Sequence, residues 1–216
     1  MHHHLGAMVS SSQVYPRADV TGIVLAGGEG RRMGGVDKGL VEFQGKPMVS
    51  HAIESLKTQC ETVLVNANRN LEAYHKLGVG VVPDEIGEFF GPLAGMASAM
   101  RAVSTPDTLF APCDSPMVTK QLGPRLFAGL TAQGADIAVA HDGDRYHPVF
   151  ALMKTSLVDS AFDFLHDGQR KIDRWFGSHA WIEVDFSDVA ASFANINRPE
   201  DRDALEAQVV KNNVGV

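Results

Sequence analysis

The chain has 216 residues, of which 44% are hydrophobic and 21% charged, an ordinary globular composition that supports one sizeable core without a metal or disulfide staple. The formal net charge of −7 excludes a general binder of nucleic acid or of acidic membranes, which needs a basic surface. No apolar run approaches the roughly 18 residues of a membrane span.

Met1-His2-His3-His4 reads as part of an expression tag. Residues 1–17 are therefore set aside as tag and loose N-terminus, leaving 18–216 as one domain. Val20 to Ala26 is a short apolar run that ends in glycines, which predicts a buried strand running into a loop. Val49, Ala52, Ile53 and Leu56 fall at helical spacing behind Pro47. Thr62 to Val65 is a second β-branched run ending at Asn66, and Leu71 to Leu77 a short helix stopped by Gly78. Val79 to Val82 is a third run, ending at Pro83-Asp84. Leu93 to Val103 reads as a helix entered through Gly91-Pro92, and Thr108 to Ala111 as a strand ending at Pro112-Cys113-Asp114. Gln121 to Leu130 predicts helix and Asp136 to Ala140 strand. Further on, Val149 to Met153 and Trp181 to Val184 read as strands, and Leu157 to Leu165 and Lys171 to Phe176 as helices. Pro199-Glu200-Asp201 opens a last helix, with acids in its first turn. Alternating strands and helices from Val20 to Ala140 predict βαβ units: an α/β fold, one Rossmann-like three-layer domain with a mostly parallel sheet.

In such a sheet, ligands bind outside the carboxyl ends of the strands. The residues just past the first four strands are Gly27-Gly28-Glu29-Gly30, Asn66, Asp84 and Asp114. The sharpest element is LAGGEGRRMGGVDKGL, Leu25 to Leu40. Its glycines let backbone N–H groups cradle phosphates, and Arg31, Arg32 and Lys38 supply the charge that a triphosphate requires. A Walker A loop fails because Lys38 follows Asp37 and precedes Gly39; a dinucleotide fingerprint fails because Met33 stands where its third glycine belongs. Cys60 and Cys113 form no CxxC and read as reduced thiols of a cytoplasmic protein. No histidine pair has zinc-ligand spacing, and His147 reads as a structural histidine.

The loop, with its G-G-x-D-K segment, closely resembles the signature of the molybdenum cofactor guanylyltransferases, within the nucleotidyltransferase superfamily. The resemblance continues through VNAN (Val65 to Asn68), VVPDEIGEFFGPLAGM (Val81 to Met96), APCDSPMV (Ala111 to Val118), HDGDRYHPVFAL (His141 to Leu152) and FANINRPED (Phe193 to Asp201). It implies transfer of GMP from GTP to the terminal phosphate of molybdopterin, with release of pyrophosphate. It also implies that Leu25, Ala26 and Gly27 belong to the nucleotide-binding loop, to which the glycine and arginine pattern adds Gly28 and Arg32, that Lys38, Asn66 and Asp84 make further GTP contacts, and that Asn195 and Asn197 close the acceptor side. Asp114 matches a carboxylate that holds Mg²⁺, a hard cation that takes one or two protein carboxylates along with water and phosphate. Lys38 and Asp114 are the expected catalytic residues. The expected partners are GTP, molybdopterin and proteins that deliver or accept the cofactor, with no nucleic acid and no membrane. Cytidylyl transfer to molybdopterin, transfer to a sugar phosphate, and a non-catalytic cofactor chaperone are the alternatives.

Overall fold

A computed structural model describes residues 14–28, 36–87 and 90–214. In chain order the elements are β1 (Val20–Leu25), β2 (Glu42–Phe43), β3 (Lys46–Pro47), α1 (Met48–Lys57), β4 (Thr62–Asn66), α2 (Leu71–His75), β5 (Gly80–Val82) and α3 (Pro92–Arg101). There follow β6 (Asp107–Pro112), α4 (Leu122–Gln133), β7 (Ile137–His141), β8 (Tyr146–Lys154), α5 (Val158–His166), α6 (Ile172–Phe176), β9 (Trp181–Asp185) and α7 (Pro199–Val214). Among the described residues seven strands form one sheet in the order β5-β4-β1-β6-β8-β7-β9, and β2 and β3 form a separate two-stranded ladder. The neighbours β5, β4, β1 and β6 are parallel. β8 runs antiparallel to both β6 and β7. The mostly parallel α/β sheet expected from the sequence is the one observed.

The chain steps outward from β1 to β4 and β5, then returns through α3 to lay β6 on the other side of β1. Strand order therefore reverses between β1 and β6, which is where an open parallel sheet leaves a crevice for ligands. Register sharpens this: Leu25 lies opposite both Asn66 and Pro112, and Asn66 opposite Val82. Four strands thus end in one row, and the residues that follow them leave the sheet at one rim.

Period-two alternation puts the two faces of each strand into different cores. Val20, Val24, Leu109, Ala111, Ala138 and Leu152 pack with Val49, Ile53 and Leu56 of α1 and Leu122, Leu126 and Leu130 of α4. Ile23, Phe110, Ile137, Val139, Ala151 and Met153 pack with Leu93 to Met100 of α3, Phe162 and Leu165 of α5, and Trp175 and Phe176 of α6. Gly22 brings α1 close to β1, because a methyl there would meet Leu56 and Cys60 at 3.3 Å. Ahead of β1, the Tyr15 ring stands edge-on to Phe127 at 5.7 Å, and Arg17 Nη2 donates to the Lys57 carbonyl at 3.1 Å.

Candidate active site

The row of strand ends brings the first loop and the end of β6 together. Asp114 follows β6, and Lys38 begins a 3₁₀ turn, Lys38–Leu40, on the far side of the glycine loop. Lys38 Nζ lies 3.4 Å from Asp114 Oδ2 and donates to Asn197 Oδ1 at 2.7 Å. Three residues expected at the site from sequence, 159 positions apart at the extremes, thus meet at one ammonium group. Lys38 and Asp114 are both partly open to solvent, at 22% and 17% of their side-chain surface, so the pair can be reached by a ligand.

The base of the loop is fixed by backbone. Leu25 accepts from Cys113 N at 3.0 Å, and Ala26 N donates to Asn66 O at 2.8 Å. Gly27 faces Asn66 and Asn68: a methyl there would stand 3.2 Å from the Asn66 Oδ1 and Asn68 Nδ2 atoms. Gly28 O accepts from Arg69 Nη2 at 3.1 Å. Arg31 and Arg32 lie outside the described residues.

Asn66 and Asp84 are in direct contact. Asn66 Nδ2 donates to Asp84 Oδ1 at 2.8 Å and to Val82 O at 3.1 Å. Asn68 holds the other side of the carboxylate: its Nδ2 donates to Asp84 Oδ2 at 2.9 Å, and its Oδ1 accepts from Asp84 N at 2.8 Å. The start of α3 makes room for this group, since a methyl at Gly95 would overlap the Asn66 amide oxygen.

Asp37 stands in the G-G-x-D-K segment, but the sequence assigned it no role. Only 8% exposed, it caps the 3₁₀ turn by accepting from Gly39 N at 3.2 Å. It also accepts from Tyr74 Oη at 2.5 Å and from Asn70 Nδ2 at 3.0 Å. The charge is buried but well supplied with donors, which a buried carboxylate requires. Gly39 is needed beside it, because a methyl there would lie 2.6 Å from the Tyr74 hydroxyl. The aspartate of the D-K pair therefore anchors the loop to α2 and sets where Lys38 begins. Its partners stand 33 and 37 positions away, so no local pattern marks the role.

The late N-I-N segment is sewn onto the end of β6. Ser115 Oγ donates to Asn195 Oδ1 at 2.6 Å, and Ile196 N donates to Asp114 O at 2.8 Å. Asp201 then accepts from Asn197 N and Arg198 N, both at 2.9 Å, capping the start of α7. Asn197 thus gives its side chain to Lys38 and its backbone to the helix start. His147 is buried and structural: Nε2 pairs with Asp142 Oδ2 at 2.7 Å, and the ring stacks on Phe193 at 5.0 Å.

Burial pushes the Asp114 carboxyl above the usual carboxylate range, although the Lys38 charge and hydrogen bond pull it down. Burial likewise raises the Cys113 thiol well above its ordinary value, so it stays protonated and serves as packing. Among the described residues, no three His, Cys, Asp or Glu side chains cluster as a metal cage. No helix among them is long and apolar enough to cross a membrane.

The MobA-like NTP transferase domain family matches residues 22–182. The molybdenum cofactor guanylyltransferase of Shewanella pealeana is 46% identical over 188 residues, covering 87% of this chain and 94% of its own. Its counterpart from Shewanella baltica is 43% identical over 194 residues, covering 90% and 99%. A crystal structure of molybdopterin-guanine dinucleotide biosynthesis protein A from Archaeoglobus fulgidus superposes with a TM-score of 0.73 at 25% identity, covering 88% of this chain and 99% of that one. The meeting of Lys38, Asp114 and Asn197 where strand order reverses, and near-full-length likeness to these proteins, lead to one conclusion: the chain belongs to the molybdenum cofactor guanylyltransferase family.

Proposed function

We propose that this protein transfers GMP from GTP to the terminal phosphate of molybdopterin and releases pyrophosphate. The observation that carries the reading is the meeting of Lys38, Asp114 and Asn197 at the crevice between β1 and β6. One cation and one hard carboxylate stand there beside a glycine loop, the combination that a triphosphate needs.

The chemistry asks little of the protein in proton transfer. The attacking group is a phosphate monoester, whose second ionisation lies near pH 6, so its oxygen arrives already deprotonated at neutral pH. What remains is to bring two polyanions together in line and to neutralise the charge that builds up. The Gly27-Gly28 backbone supports the phosphates, and Lys38 gives them a point charge. Asn66 and Asp84 receive the guanosine end: a carboxylate accepts from the N1–H and amino group of guanine, whereas cytosine offers no such pair. Asn195 and Asn197 border the acceptor side, tied to Ser115 and Lys38.

Asp114 fits Mg²⁺. It is a partly open hard oxygen donor beside the phosphate loop, and this ion needs only one or two protein carboxylates when phosphates and water supply the rest. When bound there, the ion would draw negative charge from the phosphate oxygens. The carboxylate must be ionised to hold it, and Lys38 favours that form.

Calorimetric titration with GTP, CTP, ATP and UTP, each with Mg²⁺, tests the donor. GTP binds in preference, and Lys38→Ala lowers the affinity for all four nucleotides, because they share the triphosphate that the lysine charge meets. Preference for CTP would move the protein to a sister specificity on the same fold.

A further inference from the structure

Around Asp84 the hydrogen-bond roles are forced, and they single out a residue beyond the guanosine contacts already named. Asn66 Nδ2 faces two acceptors, Val82 O and Asp84 Oδ1, so its amide cannot be turned over. Asn68 is fixed just as firmly. Its oxygen accepts from the Asp84 backbone N–H, and its nitrogen donates to the Asp84 carboxylate. Turning it over would set oxygen against carboxylate and N–H₂ against N–H. Asn68 therefore holds Asp84 at two points, main chain and side chain. Each carboxylate oxygen spends one acceptor site on an asparagine, and an ionised carboxylate has about four. Among the described residues two sites remain, one on each oxygen. That is the number guanine uses when it presents N1–H and one N–H of its 2-amino group side by side. Gly27 borders the same group without a side chain: a methyl there would stand 3.2 Å from Asn68 Nδ2 and 3.9 Å from Asp84 Oδ1.

We infer that Asn68 is a specificity-determining residue for the donor nucleotide: it aims the Asp84 carboxylate so that its free acceptor sites match the N1–H and 2-amino edge of guanine. Asn68 is a positioning residue and acts through Asp84. The inference rests on the reading that Asp84 receives the guanine base. Rotation of an unclamped carboxylate would still let it meet one donor, so N1–H recognition outlasts the clamp. Paired recognition, which separates guanine from hypoxanthine, does not.

The test compares binding of GTP with that of ITP, which keeps N1–H but lacks the 2-amino group, by calorimetry on the full chain with Mg²⁺. Wild-type protein prefers GTP, and Asp84→Asn removes the preference. Asn68→Ala lowers the GTP-to-ITP affinity ratio about tenfold, the worth of one charge-assisted hydrogen bond, with ITP affinity nearly unchanged. Asn68→Leu keeps the side-chain size and removes the donor without adding a charge beside Asp84; it gives the same loss of ratio and serves if the alanine variant is poorly folded. Equal loss of GTP and ITP affinity in both Asn68 variants would make Asn68 structural only and overturn the inference. A GTP-to-ITP preference that survives Asp84→Asn would overturn it from beneath, by showing that Asp84 does not read the base.

Discussion

Lys38 and Asn197 stand 159 positions apart, and the lysine ammonium donates to the asparagine amide oxygen at 2.7 Å. The contact ties the loop after β1 to the segment before α7, so a late part of the chain is built into the rim beside Asp114. It also means that Lys38 is already aimed before a nucleotide arrives. Removal of the cation by Lys38→Ala lowers turnover by at least about tenfold, because charge placed on phosphate oxygens is lost outright. Asn197→Ala keeps the cation but frees it, and lowers turnover by a smaller factor, about threefold. Steady-state kinetics alongside far-UV circular dichroism check both. Equal losses in the two variants would show that Asn197 does more than hold Lys38.

Asp114 carries a conflict between function and stability. Burial raises its carboxyl above the ordinary range in the folded state. A carboxyl raised on folding favours the native state only while protonated, and that contribution is lost as pH climbs through the folded value. At neutral pH the ionised form is therefore a cost, and Asp114→Asn removes it. The variant melts higher than wild type at pH 7, and the gain shrinks towards zero as pH falls below the usual carboxylate range. Its kcat drops by an order of magnitude or more, while GTP affinity falls less. Thermal melts across pH, paired with turnover, read both effects. A lower melting temperature at pH 7 would show that the Lys38 contact outweighs burial.

Tyr74→Phe deletes a hydroxyl that donates to the buried Asp37 carboxylate. The variant loses about 1–3 kcal/mol of stability in chemical denaturation, since the charge keeps its burial and loses a donor. Lys38 starts directly after Asp37, so nucleotide affinity falls as well. Unchanged stability would mean that Gly39 N and Asn70 satisfy Asp37 alone.

Gly95→Ala places a methyl on the Asn66 amide oxygen. Helix propensity alone would favour alanine at this position in α3. Overlap wins, because the amide is pinned to Val82 and Asp84 and overpacking of a fixed group costs about 1–3 kcal/mol. GTP affinity drops accordingly, measured by calorimetry, while the circular dichroism spectrum is retained.

The parts of this account that sequence made legible are those that depend on near neighbours. Apolar runs ending in Asn66, Asp84 and Asp114 announced the row of strand ends. The direction of β8 was not legible: an apolar run reports burial of a strand but not its polarity, and Val149 to Met153 reads the same in either sense. The two-residue strands β2 and β3 are too short for periodicity to register. Asp37 and Asn68 lie in motifs that carry the resemblance but received no role from the sequence, because their contacts are with Tyr74 and Asp84, which the fold brings to them. Tyr15 fell within a segment that looks like tag, yet it packs against Phe127.

The most direct test of guanylyl transfer is pyrophosphate release from each nucleoside triphosphate in the presence of molybdopterin and Mg²⁺, under anaerobic conditions. Release from GTP that requires molybdopterin and falls at least about tenfold in both Lys38→Ala and Asp114→Ala is the predicted result. Release that proceeds as well with CTP, or that persists unchanged in both variants, would contradict it.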